Sequence, residues 1–433
     1  MRPKGLIRLL LTGCLLLLLS GCTFGATVDA LLTPPHLRGE QEQIYQALEN
    51  AVGNRITLQY PRSGDHLSAV MISDLDGDGQ DEAAVFYRKE SSLSTENALR
   101  LNLLDQADGT WMSVCDLPAE GAEVDRGFTA DIGGRQRLII GYSQVDQSDK
   151  ALVVYNYEGG TLAKSFTVSY SSFDVADLDG DDQSELLILK AAEGEHAAEA
   201  AVYVPDAQDH YTRYSLTLQG KTTEYSQVLC GNTQGKQTAI YLDGIVGATT
   251  MQTEVLQFDG KKLSYLVPTG STIRPIGWLT MDIDQDDIPE IPVQGLFPGY
   301  QDSDSDLIRM TRWMTVTKDG TLQEEERGYY SLGDGYAFLL PPNWQTEVTV
   351  QNDNLTGDLV FYHYMGDRAA EMPELMRISV ATDTANRDSR LEEGYQLLYS
   401  RGNAYYFIKV PEDSTDERAR TVGDLLGYFV FLS

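Results

Sequence analysis

Asp74-Leu75-Asp76-Gly77-Asp78-Gly79-Gln80-Asp81-Glu82 is the stretch on which the reading of this chain turns, because close relatives of it recur at 177–185 and 282–290. Counted from the first Asp, side-chain oxygens fall at positions 1, 3, 5 and 9 of each copy. They are Asp74, Asp76, Asp78 and Glu82, then Asp177, Asp179, Asp181 and Glu185, then Asp282, Asp284, Asp286 and Glu290. A loop must curl tightly to aim alternate side chains at one point, and such a ring suits a hard cation taking ~6–8 oxygens at about 2.3–2.6 Å. The cation expected is Ca2+, up to three per chain. Position 7, held by Gln80, Gln183 and Ile288, would add only its backbone carbonyl, which frees its side chain to vary. Position 6 must turn sharply with φ > 0. Gly79 does so at no steric cost, and Asp182 and Asp287 do so as residues that tolerate the left-handed region.

An EF-hand would need a bidentate Glu at position 12 and a helix on each side. Position 12 is Val85, Ile188 and Val293, and the flanks, such as 83–87 and 186–189, are short apolar runs with β character. The sites are therefore expected to be strand–loop–strand.

The chain has 433 residues, enough for two domains, with 42% hydrophobic content. It opens with Arg2, Lys4 and Arg8, then the apolar run 9–19, then Ser20-Gly21-Cys22. That order is a secretory signal over residues 1–21, too short for a stable membrane span. Leu19-Ser20-Gly21-Cys22 resembles a bacterial lipobox, which implies lipid attachment at Cys22 and a place on the extracytoplasmic face of a bacterial cell membrane. Loss of the leader removes three basic residues and no acidic ones, leaving 30 Lys and Arg against 65 Asp and Glu, a net charge of −35. Nucleic acid and anionic headgroups are poor partners for such a body. Of four Cys, Cys14 lies in the leader and Cys22 is the anchor. Cys115 and Cys230 are expected as buried small hydrophobes, with a disulfide not indicated.

Residues 22–39 suit a tether, and 40–52 read as one helix with Ile44, Leu48 and Val52 on a stripe and Gly53 past its end. The acidic loops are spaced by 103 and 105 residues, and weaker relatives without carboxylates lie midway, at 128–140 and 228–241. The period is thus about 50 residues with four strand candidates each, which is what a β-propeller blade requires. Five blades are expected, starting near 69, 127, 172, 226 and 277, with residues 55–60 completing the last blade and closing the ring, and six if 300–335 contributes further strands. Closure would remove sheet edges.

The sequence of 74–82, followed by an apolar strand, resembles the FG-GAP/VCBS repeat, the unit also found in integrin α-subunit propellers. The resemblance covers roughly 55–335. It implies calcium ligands at the twelve carboxylates and the position-7 carbonyls. The Phe-Gly and Gly-Ala-Pro signatures of the integrin version are absent, so integrin-like ligand recognition is not carried over.

The propeller region with its leading helix is placed at 40–333, and 334–433 is expected to be a small α+β domain with an antiparallel sheet. Within it, 395–399 and 404–408 read as a hairpin, and Ser414 with Glu417 as a capping box opening a helix that turns Val422, Leu425 and Phe429 inward. The His at 36, 66, 196, 210 and 363 form no metal-binding pair, and no nucleophile elbow or phosphate loop is present. Asp108-Gly109-Thr110-Trp111 reads as a β-turn with Trp111 packing, and Tyr329, Tyr330, Tyr336 and Trp344 as packing at the domain junction. The function expected is a non-catalytic binding or scaffolding lipoprotein with an envelope protein or polysaccharide as ligand. The alternative is a carbohydrate-active hydrolase or lyase using the propeller face.

Overall fold

The structure is a computed structural model and describes residues 39–64, 66–89, 99–144, 150–268 and 270–432. The leader, the lipobox and Cys22 lie outside the described residues.

Helix α1 (Glu40–Val52) forms where the stripe places it, with Ile44 and Leu48 fully buried. Among the described residues twenty-eight strands follow in six antiparallel sheets. The first sheet sets β1 (Ile56–Leu58) and β2 (Val70–Ser73) end to end along one edge of β3 (Glu82–Lys89), then β4 (Leu99–Ala107) and β5 (Thr110–Pro118). The second runs β6 (Glu123–Asp131), β7 (Gln136–Ser143), β8 (Lys150–Glu158) and β9 (Thr161–Tyr170). The third runs β10 (Ser172–Ala176), β11 (Glu185–Lys190), β12 (Glu199–Pro205) and β13 (Tyr211–Thr217). The fourth comprises β14 (Glu224–Asn232), β15 (Thr238–Ile245), β16 (Thr250–Phe258) and β17 (Leu263–Tyr265), with β18 (Arg274–Pro275) also on β16. The fifth comprises β19 (Ile291–Leu296), β20 (Arg309–Val316), β21 (Leu322–Ser331), β22 (Tyr336–Leu339) and the C-terminal β28 (Phe429–Phe431). The sixth is built from β23 (Val348–Asn352), β24 (Leu359–His363), β25 (Glu374–Ala381), β26 (Gln396–Arg401) and β27 (Ala404–Lys409), with β26 at its edge.

Second strands such as β7 and β11 are buried almost throughout, whereas outer strands such as β13 alternate with solvent. Successive side chains of a strand point to opposite faces, so a continuously buried strand belongs to a sheet covered on both sides. In β7, Leu138 and Ile140 join a core with Phe86, Leu101 and Leu103 of the first sheet, while Ile139 joins one with Phe173, Leu186 and Ile188 of the third. The same sharing links the third sheet to the fourth, the fourth to the fifth and the fifth to the sixth.

Three expectations change. Six sheets are present where five blades were expected. The regular period fades after 333, but the later strands build another sheet of the same width on the core of the fifth. The boundary at 334 falls inside the hairpin β21–β22, and β28 returns to the same sheet, so residues 336–339 and 429–431 belong to the fifth sheet. Finally, β1 does not complete the last sheet. It pairs with β3, Leu58 opposite Tyr87, inside the first. The outer face of the first sheet is covered by α1, whose Ile44 and Leu48 meet Val85, Tyr87, Leu104 and Trp111. Among the described residues no apolar cluster joins the first sheet to the fifth or sixth.

Smaller expectations meet mixed outcomes. Asp108 and Gly109 turn with φ of 53° and 73°, and Trp111 packs into the core under α1. Trp344 is fully buried and donates from Nε1 to the Arg418 carbonyl at 2.8 Å, and Tyr330 and Tyr336 are buried, so the aromatic junction is packing. Cys115 and Cys230 are unpaired and half-buried against apolar clusters. The hairpin β26–β27 forms. The capping box lies further on than expected: Thr421 and Asp424 cap the short helix α3 (Val422–Leu425), not Ser414 and Glu417.

Leu48→Ala removes a fully buried side chain from the helix that covers the first sheet's outer face. We expect a loss of about 2–5 kcal/mol in urea unfolding, with little change for a substitution at exposed Gln46.

Candidate metal centres

Each acidic loop hangs between the first and second strands at one end of a sheet. The first joins β2 to β3, the second β10 to β11, and the third follows the bridge Met281–Glu290 into β19. They therefore belong to the first, third and fifth sheets. Position 2 of each loop is apolar and drives into the core: Leu75, Leu178 and Ile283 are buried. The backbone N–H of that residue donates to Oε2 of the position-9 glutamate, at 2.7 Å for Leu75–Glu82, 2.8 Å for Leu178–Glu185 and 2.8 Å for Ile283–Glu290.

Position 1 gathers the turn. Asp74 accepts from the N–H groups of Gly77 and Gly79 at 2.7 and 3.0 Å, Asp177 from Gly180 and Asp182 at 2.7 and 3.0 Å, and Asp282 from Gln285 and Asp287 at 2.6 and 2.9 Å. The position-5 carboxylates are oriented by position 7, with Gln80 donating to Asp78, Gln183 to Asp181 and Ile288 to Asp286 at 2.8, 2.9 and 2.8 Å. Position 6 has positive φ in all three, 86° at Gly79, 67° at Asp182 and 68° at Asp287. Position 4 does too, at Gly77, Gly180 and Gln285 (φ 79°, 83° and 68°), a second left-handed turn that the carboxylate spacing did not announce.

Ligand atoms converge within 4.8 Å of one another in three groups: Asp74, Asp76 and Asp78; Asp177, Asp179 and Glu185; and Asp282, Asp284 and Glu290. Glu82 in the first loop, and Asp181 and Asp286 in the others, stand outside these groups. Three acidic clusters that could hold a metal ion are thus present, drawn from the twelve carboxylates picked out in the sequence. Glu82, Glu185 and Glu290 are buried, and that burial, reinforced by the neighbouring aspartates, lifts their carboxyls to about 7, 7 and 8. Burial also raises Asp76, Asp179 and Asp284. Oε1 of Glu82 and of Glu290 is buried with no hydrogen-bond partner.

Among the described residues no Lys or Arg ion-pairs with any of these carboxylates, although other acidic runs are neutralised that way. Asp304 and Asp306 are held by Arg368, at 3.2 and 3.1 Å, and Asp302 by Arg309. The matching turns of the second and fourth sheets, which lack the carboxylates, are held by protein groups instead. Buried Arg137 donates to the Ile132 carbonyl at 2.8 Å and pairs with Asp209 at 2.6 Å, and the Thr233 hydroxyl accepts from the N–H of Gly235 at 3.2 Å. The loops also touch neighbouring sheets. Ser184 N–H donates to the Asp131 carbonyl at 3.0 Å, and Gln227 donates to the Thr280 carbonyl at 2.8 Å. Thr280 is further fixed by its N–H to Asp243 at 2.6 Å, within the buried Asp243–Arg274 pair.

No family model and no curated protein matches this chain. Among solved structures it is similar to an exotype rhamnogalacturonan lyase at 15% identity and a TM-score of 0.29, over 71% of this chain and 61% of that one. It is also similar to 6-phosphogluconolactonase-type proteins of Bacteroides fragilis, at 12% identity and 0.31 over 74% and 93%, and of Bacteroides uniformis, at 10% and 0.33 over 74% and 94%. The chain thus spans about three-fifths of the lyase. Likenesses this distant say nothing of ligand or activity.

Asp78→Ala removes one oxygen from the first group without touching the buried glutamate or its N–H donor. Calcium titration should show one site fewer, or one site weakened about tenfold or more, with the other two unchanged.

Proposed function

We propose that this chain is a calcium-binding lipoprotein of the FG-GAP/VCBS propeller type, anchored through Cys22 on the extracytoplasmic face of a bacterial membrane and acting as a non-catalytic binding or scaffolding module. The observation that carries the metal reading is the combination of gathered carboxylates and absent basic partners in all three turns, with an orphaned buried glutamate oxygen in the first and third. A buried polar atom without a partner is costly, and a divalent cation would satisfy it while offsetting the crowded negative charge.

The donor set is oxygen only and anionic, which favours calcium over metals that prefer nitrogen or sulfur. Asp74, Asp76 and Asp78, with their counterparts, would hold the ion together with the position-7 carbonyls of Gln80, Gln183 and Ile288. Glu185 and Glu290, which lie within the gathered groups, would tie their ions to the core through the apolar residue at position 2. The ion would supply charge neutralisation and a rigid loop. Since the loops also bond to adjacent sheets, tightening them stiffens the sheet-to-sheet packing. The burial of Trp344, Tyr330 and Tyr336 in the junction supports a scaffold over a catalytic cleft at that place.

Two experiments test the reading. Thermal unfolding of the full chain with calcium and with excess chelator should separate clearly, each filled site adding about 2.7 kcal/mol when calcium stands at about 100 times its dissociation constant. Superimposed melting curves would sink the calcium reading. For the anchor, Cys22→Ser should move the protein from the membrane fraction to the soluble extracytoplasmic fraction.

A further inference from the structure

At the other end of the inner strands from the acidic loops lies a cavity of about 270 Å³. It opens where β6, β10 and β14 begin, so it draws on the second, third and fourth sheets and on the 63–64 segment. Its charged groups are Asp125, Arg126 and Lys150. Asp125 is satisfied: Lys150 reaches its two carboxylate oxygens at 2.9 and 3.0 Å, and the Tyr170 hydroxyl donates to it at 2.7 Å.

Arg126 is not balanced in this way. Its Nη1 donates to the Phe173 carbonyl at 2.8 Å, and its guanidinium lies 5.0 and 5.4 Å from the ring centroids of Phe128 and Phe173. It has no carboxylate partner among the described residues, and its Nε is buried with no acceptor. In a chain with 65 acidic and 33 basic residues, a cavity whose net charge is positive stands out from the general field. Ser172, Ser226 and Gln227 supply neutral polar groups around it.

We propose that this cavity binds one small hydroxylated carboxylate, about the size of a single sugar acid, with Arg126 holding the carboxylate. A guanidinium clamped by stacking and by one backbone bond keeps most of its N–H donors in a fixed plane, the geometry that matches a carboxylate with two parallel bonds. The serines and Gln227 would meet the hydroxyls. The site gives the binding module of the preceding section a ligand class but uses none of the acidic loops, so either reading can fail alone.

The test is calorimetric titration of the full chain, with calcium present, against sodium glucuronate, glucose and inorganic phosphate. Glucuronate should bind saturably, with glucose and phosphate each weaker by about tenfold or more. Arg126→Gln should weaken glucuronate by about tenfold or more, the scale of a charge-assisted hydrogen bond. Because Arg126 also joins two sheets, Ser172→Leu serves as a second variant that fills the cavity while leaving the guanidinium in place, and it should abolish binding. Absence of glucuronate binding, equal binding of glucose or phosphate, or binding unchanged in both variants overturns the proposal.

Discussion

A β-sheet whose middle strands are apolar on both faces cannot end in water, and this constraint organises the whole molecule. Five such sheets follow one another in sequence, each lending one face to its predecessor and one to its successor. Leu138 and Ile140 look one way from β7 and Ile139 looks the other. The ends of the series need covers of a different kind. At the start the cover is α1, laid over Tyr87 and Trp111. At the end it is the sixth sheet, sharing Phe338, Trp344 and Phe361 with the fifth.

The acidic loops pose the opposite problem. They collect like charges at positions where the backbone has already spent its N–H groups on the aspartates at positions 1 and 5, and they place a glutamate where water does not reach. Elsewhere the chain answers such crowding with arginine, as at Asp243 with Arg274 and Asp358 with Arg377 and Arg390. In the loops no arginine comes. The alternate turns, built on Arg137 or Thr233, show what the same hairpin looks like when protein groups do the binding together.

The loops were legible in the sequence because their determinants are local: three aspartates, a glutamate and a position tolerant of φ > 0 within nine residues. The hairpins were legible for the same reason. What was not legible depends on distant surfaces. Whether residues 56–58 join the first sheet or the last turns on which strand edge is free, and the alternation of Ile56 and Leu58 is the same in both cases. The extra width of the fifth sheet comes from β28, nearly a hundred residues after β22. Helix α2 (Thr384–Glu392) escaped notice because it buries no residue and so has no apolar stripe, although Asp383 caps it by accepting from Asn386 N–H at 2.8 Å. The role of the position-9 glutamates as acceptors for position 2 was also missed, since spacing alone marks them only as further oxygens.

The sharing of apolar faces between neighbours bears on how the molecule comes apart, because a sheet that loses the cover on one face presents that face to water. The helix and the sixth sheet are therefore bookends: with either removed, unravelling has a place to begin.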